Sequence, residues 1–398
     1  MNPNSLRVLM ISDVYFPRIN GVSTSIETFR NDLQHYGIDV TLVAPEYPEP
    51  GEAPHAPRLP PSSLPPVTHR VPSRRLPFDP EDRLMRWGHL SRTTNKLAAE
   101  KFDLIHVQTP FTAHYAGVRA ARLAGIPVLA TYHTHFEEYF HHYLPLLPRR
   151  LLRATARHIA RGQCNQLDAV VVPSQAMRET LAAYGIEVPL HILSTGIPVE
   201  KFQQGDGARF RRQHGIAPER PVALFVGRVA FEKNIGFLLE AMANLKRLRP
   251  DALLVVAGEG PALPTLQRSA QILGIEYHVR FVGYLDRSTQ LPDCYAAADV
   301  FAFASRTETQ GLVLLEAMAA GLPAYALSEM GTRDILEPRR GAVVAPDDPA
   351  AFAFGLAKLF INRGRLAQLA AEARIYAREW SAPERARQLA LLYRSLVE

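Results

Sequence analysis

Val222-Ala-Leu-Phe-Val-Gly-Arg-Val-Ala-Phe-Glu-Lys-Asn-Ile-Gly-Phe-Leu-Leu239 decides the fold of this chain. Val222 to Val226 is an unbroken apolar run, the pattern of a strand covered on both faces, and it stops at Gly227. Arg228 and Lys233 follow, and from about Asn234 the apolar residues recur with a helical period. Strand, short glycine-led loop and helix form the repeating unit of a parallel sheet, whose strand ends collect ligands. Arg228 offers a fork of donors and Lys233 a mobile point charge, a combination suited to a diphosphate. Two surface cations flanking a helix start, with Glu232 as a solvated partner, would leave the same trace.

Downstream, Ser305-Arg-Thr-Glu-Thr-Gln-Gly-Leu-Val-Leu-Leu-Glu-Ala-Met-Ala-Ala-Gly-Leu-Pro323 sets Glu308 and Glu316 eight residues apart. A loop with one carboxylate runs through Gly311 into an apolar helix with the second, and Gly321 and Pro323 end that helix. Carboxylates accept from hydroxyls, while the free amides of Gln310, Gly311 and Leu312 at the helix start can donate to phosphate oxygens. A sugar nucleotide carries both kinds of group. A solvated Glu308 and a water-facing Glu316 are the plainer alternative, against which the presence of both stretches in this order weighs.

The same alternation runs through the whole sequence and predicts an α/β protein with parallel sheets. Strands are expected at Leu6–Ile11, Val40–Ala44, Leu104–Val107, Val128–Thr131, Ala169–Val172 and Leu190–Leu193. A second set is expected at Val222–Val226, Ala252–Ala257, Val279–Val282, Val300–Phe303, Ala324–Leu327 and Ala342–Val344, with three helices from Ala350 onward. The turn-rich Thr195-Gly-Ile-Pro198 marks a domain boundary. Pro45 to Pro80 breaks the rhythm with twelve of the 32 prolines, and reads as an extended or mobile loop.

Composition agrees. The 398 residues suffice for two domains, and 47% hydrophobic with 21% charged residues is ordinary for a globular chain. Cys164 and Cys294 are the only cysteines, so no disulfide framework or zinc site is indicated. Leu6–Ile11 begins without a basic-then-apolar leader, and no stretch approaches the roughly 20 apolar residues of a membrane span. The expectation is a soluble cytoplasmic protein still able to bind a surface.

Arg228-x4-Lys233 followed by Glu308-x7-Glu316 resembles the retaining glycosyltransferases of family four, and the resemblance extends over nearly the whole chain. Pro17-Arg-Ile-Asn-Gly-Val-Ser-Thr-Ser25 and Thr131-Tyr-His-Thr-His-Phe-Glu-Glu-Tyr139 look most like members that glucosylate or mannosylate diacylglycerol-type lipids. The resemblance implies two Rossmann-like lobes (the GT-B architecture) with the active site in the cleft between them. Residues 1–195 would be the acceptor-side lobe, 196–380 the donor lobe, and 381–398 a helix crossing back to the first. The proline-rich segment then falls on the acceptor side, where an acceptor-gating loop and a passive insertion both remain open.

The resemblance also assigns roles. Arg228 and Lys233 would neutralise charge growing on the leaving phosphate. Glu308 would hold hydroxyls of the donor sugar and Glu316 those of the ribose. His133 would contact the donor sugar or the neighbouring phosphate, and Gly21 would let the backbone approach the diphosphate. His135 and Glu137 are weaker candidates. Gly258-Glu-Gly-Pro261 lacks the third glycine of a dinucleotide fingerprint, and Pro261 suits the first turn of a helix. In the family this turn and Val282–Leu285 bracket the nucleobase, with backbone groups near Tyr284 reading its edge; uracil and guanine are not distinguished. A front-face reaction would need no enzymic nucleophile, no metal and no cofactor beyond the sugar-nucleotide co-substrate.

For the acceptor, Arg149, Arg153, Arg157 and Arg161 recur every four residues, Arg150 lies beside them, and Tyr139 to Leu167 contains no acidic residue. Next to Phe140-His-His-Tyr-Leu-Pro-Leu-Leu147, this basic stripe suits an anionic membrane surface, although a solvated basic helix face reads alike. The net charge of +6 fits either, and no nucleic-acid motif accompanies it. The expected activity is transfer of an α-hexose from UDP-glucose, or second GDP-mannose, to a diacylglycerol-type lipid, peripherally on the inner face of the plasma membrane. A soluble enzyme acting on a polysaccharide or small acceptor is the same-class alternative, and a non-catalytic sugar-nucleotide-binding regulator the different-class one.

Overall fold

A computed structural model describes residues 5–18, 20–47, 69–76, 79–133 and 149–398. Contacts divide the chain into two units, Met1–Gly196 with Ala382–Glu398 and Ile197–Ser381.

The first unit is built on a seven-stranded sheet. Its early strands are β1 (Leu6–Ile11), β2 (Ile38–Pro45) and β3 (His69–Val71), with a hairpin of β4 (Ser73–Leu76) and β5 (Asp79–Met85) set apart. β6 (Leu104–Val107), β7 (Val128–Thr131), β8 (Ala169–Val172) and β9 (Leu190–Ile192) complete it. The order is β3-β2-β1-β6-β7-β8-β9 and every pairing is parallel. Crossovers by helices such as Gly21–Leu33 and Thr112–Ala124 cover the faces, so β6 and β8 are buried at every position.

The proline-rich segment is a correction to the sequence reading. Pro45 closes β2, His69–Val71 adds a parallel edge strand to it, and residues 73–85 form the antiparallel hairpin. Prolines are compatible with strands at edges and ends, which is where Pro72 and Pro80 stand. Residues 48–68 lie outside the described residues.

The last helix, Ala382–Val397, belongs to this first unit. Ala386, Leu389, Ala390 and Tyr393 join Val8, Met10, Leu104 and Leu129 in one core. Tyr393 Oη meets His106 Nδ1 at 2.6 Å, and His106 Nε2 meets Thr131 Oγ1 at 2.7 Å. Tyr36 Oη donates to the Pro383 carbonyl at 3.0 Å, and Arg394 donates back to the Tyr36 carbonyl at 2.6 Å. The terminus is thereby held by apolar contact and polar bonds at both ends of the helix.

The second unit has a six-stranded sheet: β10 (Val222–Val226), β11 (Leu253–Ala257), β12 (Val279–Gly283), β13 (Val300–Phe303), β14 (Ala324–Ala326) and β15 (Ala342–Val344). The order β12-β11-β10-β13-β14-β15, all parallel, reverses direction between β10 and β13. At such a switch point the loops leaving neighbouring strands diverge to opposite faces and open a crevice at the carboxyl ends. The two sequence stretches singled out above are those two loops.

Acid should loosen the first unit. Burial holds His106 and His114 neutral, with pKa lowered to about 3 and about 4, whereas unfolded histidine titrates near 6.5. Below about pH 6.5 the unfolded chain therefore binds more protons, and stability present above that value is lost as pH falls. Asp13 acts oppositely: burial raises it to about 6, so it takes up its proton first in the folded state and returns part of the loss. Each group is worth roughly 2 kcal/mol across the window. The urea midpoint should fall between about pH 7 and about pH 4.5, more steeply in Asp13→Asn; a midpoint independent of pH would contradict this balance.

Candidate functional site

In the second unit the chain after β10 makes one 3-10 turn, Phe231–Lys233, and Asn234 then takes a left-handed conformation with φ of +53°. The helix therefore starts at Ile235, one residue later than its periodicity implied, and the Asn234 Nδ2 donates to the Ala304 carbonyl at the end of β13 at 3.1 Å. Thr307 Oγ1 donates to the Glu232 carbonyl at 3.4 Å. These two bonds tie the loops together and bring Lys233 Nζ to 2.6 Å from Glu308 Oε1, across 75 residues of sequence. Both side chains are mostly covered, 22% and 17% exposed. Arg228 lies exposed in the same loop, and its guanidinium has no partner among the described residues.

Gly311 caps the helix Leu312–Ala319 with φ of +91°, a left-handed turn that glycine adopts without strain. Gln310 is buried beside it. The amides of Gly311 and Leu312 donate to no other described group, and so face outward as a helix N-terminus able to take an anion.

Glu316, one turn further on, is 2% exposed, which excludes the water-facing alternative. Its Oε2 accepts from Tyr295 Oη at 2.9 Å, and its Oε1 accepts from the Arg287 guanidinium. Burial keeps the Tyr295 phenol protonated, its pKa raised well above the ordinary value. Lys201, half-buried nearby, has its pKa lowered, first by burial and then by Arg287.

Gly258 and Tyr284 follow the neighbouring strands. Gly258, with φ of +135°, donates to the Gly283 carbonyl at 2.8 Å, and a β-carbon on it would stand 1.9 Å from the Gly227 carbonyl oxygen. The ends of β10, β11 and β12 thus close up backbone to backbone. Tyr284 is 38% exposed beyond β12. Pro261 falls in the turn before the helix Leu263–Ile272, and Pro264 is the first-turn proline, which corrects the sequence reading. Arg287, Tyr295 and Lys201 were not anticipated; none belongs to a spacing pattern with the carboxylate it surrounds.

The first unit carries the other candidates. Gly21 opens its helix, because Asn20 and Ser23 form a reciprocal capping box. A β-carbon on Gly21 would meet nothing within 4 Å, and the Gly21 and Val22 amides donate to no other described group. His133 follows β7, and its Nε2 lies 2.9 Å from Oε1 of buried Gln108, a residue the sequence reading missed. Burial lowers the His133 pKa to about 4, so near neutrality the ring is uncharged. His135 and Glu137 lie outside the described residues.

Arg149–Cys164 is a helix, as the four-residue recurrence required. The side chains of Arg149, Arg150 and Arg153 lie outside the described residues. Arg157 stacks over the Tyr184 ring at 5.3 Å, and Arg161 pairs with Glu187 at 3.4 Å, so both fold at least partly onto their own unit. Among the described residues no helix is long and apolar enough to cross a membrane.

Residues 206–380 match the family described as glycosyl transferases group 1, and residues 19–201 match glycosyltransferase family 4. The chain is 32% identical over 328 residues to the alpha-monoglucosyldiacylglycerol synthase of Streptococcus pneumoniae (strain ATCC BAA-255 / R6), covering 81% of this chain and 71% of that one. This chain belongs to the family-four glycosyltransferases. A GDP-mannose-dependent alpha-mannosyltransferase of Mycobacterium tuberculosis (strain CDC 1551 / Oshkosh) is 30% identical to this glycosyltransferase over 341 residues, 86% of this chain and 84% of that one. Among solved structures, Anabaena HepE in complex with UDP superposes with a TM-score of 0.75 at 18% identity, covering 98% of this chain and 100% of that one. Sucrose-phosphate synthase from Thermosynechococcus elongatus gives 0.75 at 21% identity over 98% and 99%. The fold is accordingly GT-B, with two Rossmann-like sheets.

The glycine contact makes a paired prediction for the glycosyltransferase. Gly258→Ala should lower stability by about 2–4 kcal/mol, because a β-carbon cannot share the Gly227 carbonyl's position and the backbone is left-handed. Gly236→Ala, at a helical position with nothing within 4 Å, should be neutral or stabilising by up to about 1 kcal/mol. Thermal unfolding of both variants checks it; equal effects would refute the close-approach account.

Proposed function

We propose that this retaining glycosyltransferase moves an α-hexosyl group, glucose first, from UDP-glucose to a diacylglycerol-type lipid at a membrane surface. The observation that carries the acceptor is the 32% identity to an alpha-monoglucosyldiacylglycerol synthase along 81% of the chain. GDP-mannose is the second donor, favoured by the 30% identity to a GDP-mannose-dependent mannosyltransferase. A peripheral position on the inner face of the plasma membrane fits the acid-free basic helix Arg149–Cys164.

In this reading the bond from the sugar's anomeric carbon to the diphosphate breaks, and a bond to the acceptor hydroxyl oxygen forms on the same face. The acceptor's proton passes to the departing phosphate oxygen. Arg228, Lys233 and the Gly311 and Leu312 amides meet the negative charge that grows on that phosphate. No metal is called for, because these cations take its place. Glu308, held by Lys233 Nζ at 2.6 Å from its Oε1, accepts from hydroxyls of the donor sugar. Glu316 accepts from the ribose. Neutral His133 orients sugar or phosphate by hydrogen bonding, and Gly21 leaves its backbone open to the diphosphate. Gly258 and the backbone near Tyr284 border the base.

The test is transfer of radiolabel from UDP-glucose and from GDP-mannose, with and without diacylglycerol in anionic liposomes. Label should enter the organic phase from one donor and persist in EDTA. Glu308→Gln and Lys233→Met should each lower kcat by about 10²–10³ without loss of fold. Slow donor hydrolysis with no labelled lipid would remove the lipid acceptor and keep the donor site. Donor binding without any turnover would favour a non-catalytic regulator, and unchanged kcat in Glu308→Gln would overturn the assignment of that residue.

A further inference from the structure

Glu316 stands in the second unit with both carboxylate oxygens already engaged, one by Tyr295 and one by Arg287. Its side chain is 3% exposed, whereas that of Arg287 is 33% exposed, so the ion pair spans from the interior to the open sheet edge. Arg287 belongs to the loop after β12, which also carries Tyr284 and Asp286. Asp286 is spent within that loop, its Oδ1 accepting from the Ser288 and Thr289 amides and the Thr289 hydroxyl at 2.9 Å each. The Tyr295 phenol is protonated and neutral, and the ammonium of half-buried Lys201 makes no hydrogen bond among the described residues. Arg287 is therefore the one bonded cation of the Glu316 carboxylate among the described residues, and it comes from the loop that borders the base.

We propose that Arg287 is a positioning residue for nucleotide recognition: its guanidinium holds one Glu316 oxygen and so fixes the remaining acceptor sites toward the ribose diol, and selectivity for ribonucleotides depends on it. This rests on the reading of Glu316 as the ribose-binding carboxylate. A carboxylate offers about four acceptor sites; two are taken by Arg287 and Tyr295, and two remain for adjacent hydroxyls. Without the guanidinium one oxygen of this buried carboxylate loses its charged partner, and the carboxylate plane is no longer held. Its free acceptor sites then no longer converge on adjacent hydroxyls, and the difference between a ribose and a deoxyribose fades. Arg287 does not itself touch the reacting atoms; it acts through Glu316, and through the loop it anchors.

The experiment is calorimetric titration of the full chain with UDP and with its 2′-deoxy counterpart dUDP, and likewise with GDP and dGDP, for wild type, Arg287→Met and Arg287→Lys. Wild type should prefer the ribonucleotide by roughly tenfold or more, the worth of a hydrogen bond to a charged group. Arg287→Met should bring that ratio close to one by weakening the ribonucleotide and leaving the deoxynucleotide nearly unchanged. Arg287→Lys should restore much of the preference. Equal weakening of both nucleotides, or a ratio unchanged from wild type, would overturn the proposal. Wild type binding neither UDP nor GDP would instead remove the donor reading on which it rests. Should Arg287→Met fail to fold, the lysine variant decides alone: a preference nearer to wild type than to one supports the proposal, and a ratio of one opposes it.

Discussion

Glu308 and Glu316, both largely covered by this fold, are each met by a cation delivered from another strand end. Removing a carboxylate from water is unfavourable unless a partner and hydrogen bonds replace the solvent. Lys233 comes to Glu308 from the loop after β10, and Arg287 comes to Glu316 from the loop after β12. The parallel sheet makes this possible, because its carboxyl edge gathers the loops of neighbouring strands whatever their separation in sequence. The glycines Gly227 and Gly258 let the strand ends approach closely enough for the loops to meet. The polar site and the apolar core are thus one construction: the burial that packs β10 and β13 also sets the low-dielectric edge on which the charges sit.

Arg228 stands in contrast to its neighbours. It shares the loop with Lys233 but is exposed and without a partner among the described residues. The sheet edge therefore presents one uncommitted guanidinium, outward-facing amides at Gly311 and Leu312, and two carboxylates already compensated. Such a surface suits an anion with hydroxyls on either side of it. That is the chemical outline of a nucleoside diphosphate sugar, and it accords with membership of the family-four glycosyltransferases.

Much of this was legible in the sequence, and the residues show why. Val222–Val226 is an unbroken apolar run stopped by Gly227, and the strand ends where that pattern ends; Val300–Phe303 is likewise unbroken and apolar after Asp299. β2 begins at Ile38, two residues earlier than expected, because Asp39 interrupts the apolar run while its backbone already pairs with Arg7. The edge strand His69–Val71 and the hairpin after it were hidden by prolines, whose composition signals a loop even where the backbone between them pairs. Spacing singled out Arg228, Lys233, Glu308 and Glu316, and the structure brings Lys233 to Glu308. Arg287 was not singled out: it lies 29 residues before Glu316, with no periodicity linking them, and only the packing of the loop after β12 against the helix Leu312–Ala319 brings them together. Gln108, 25 residues before His133, was missed for the same reason.

A crystal structure with a non-transferable UDP- or GDP-sugar would show whether the carboxyl edge of the second sheet is a built donor site. Diphosphate oxygens should lie on the Gly311 and Leu312 amides and on Arg228, with ribose hydroxyls on Glu316 and sugar hydroxyls on Glu308. A diphosphate bound away from this edge, with Glu316 touching only Arg287 and Tyr295, would contradict that assignment.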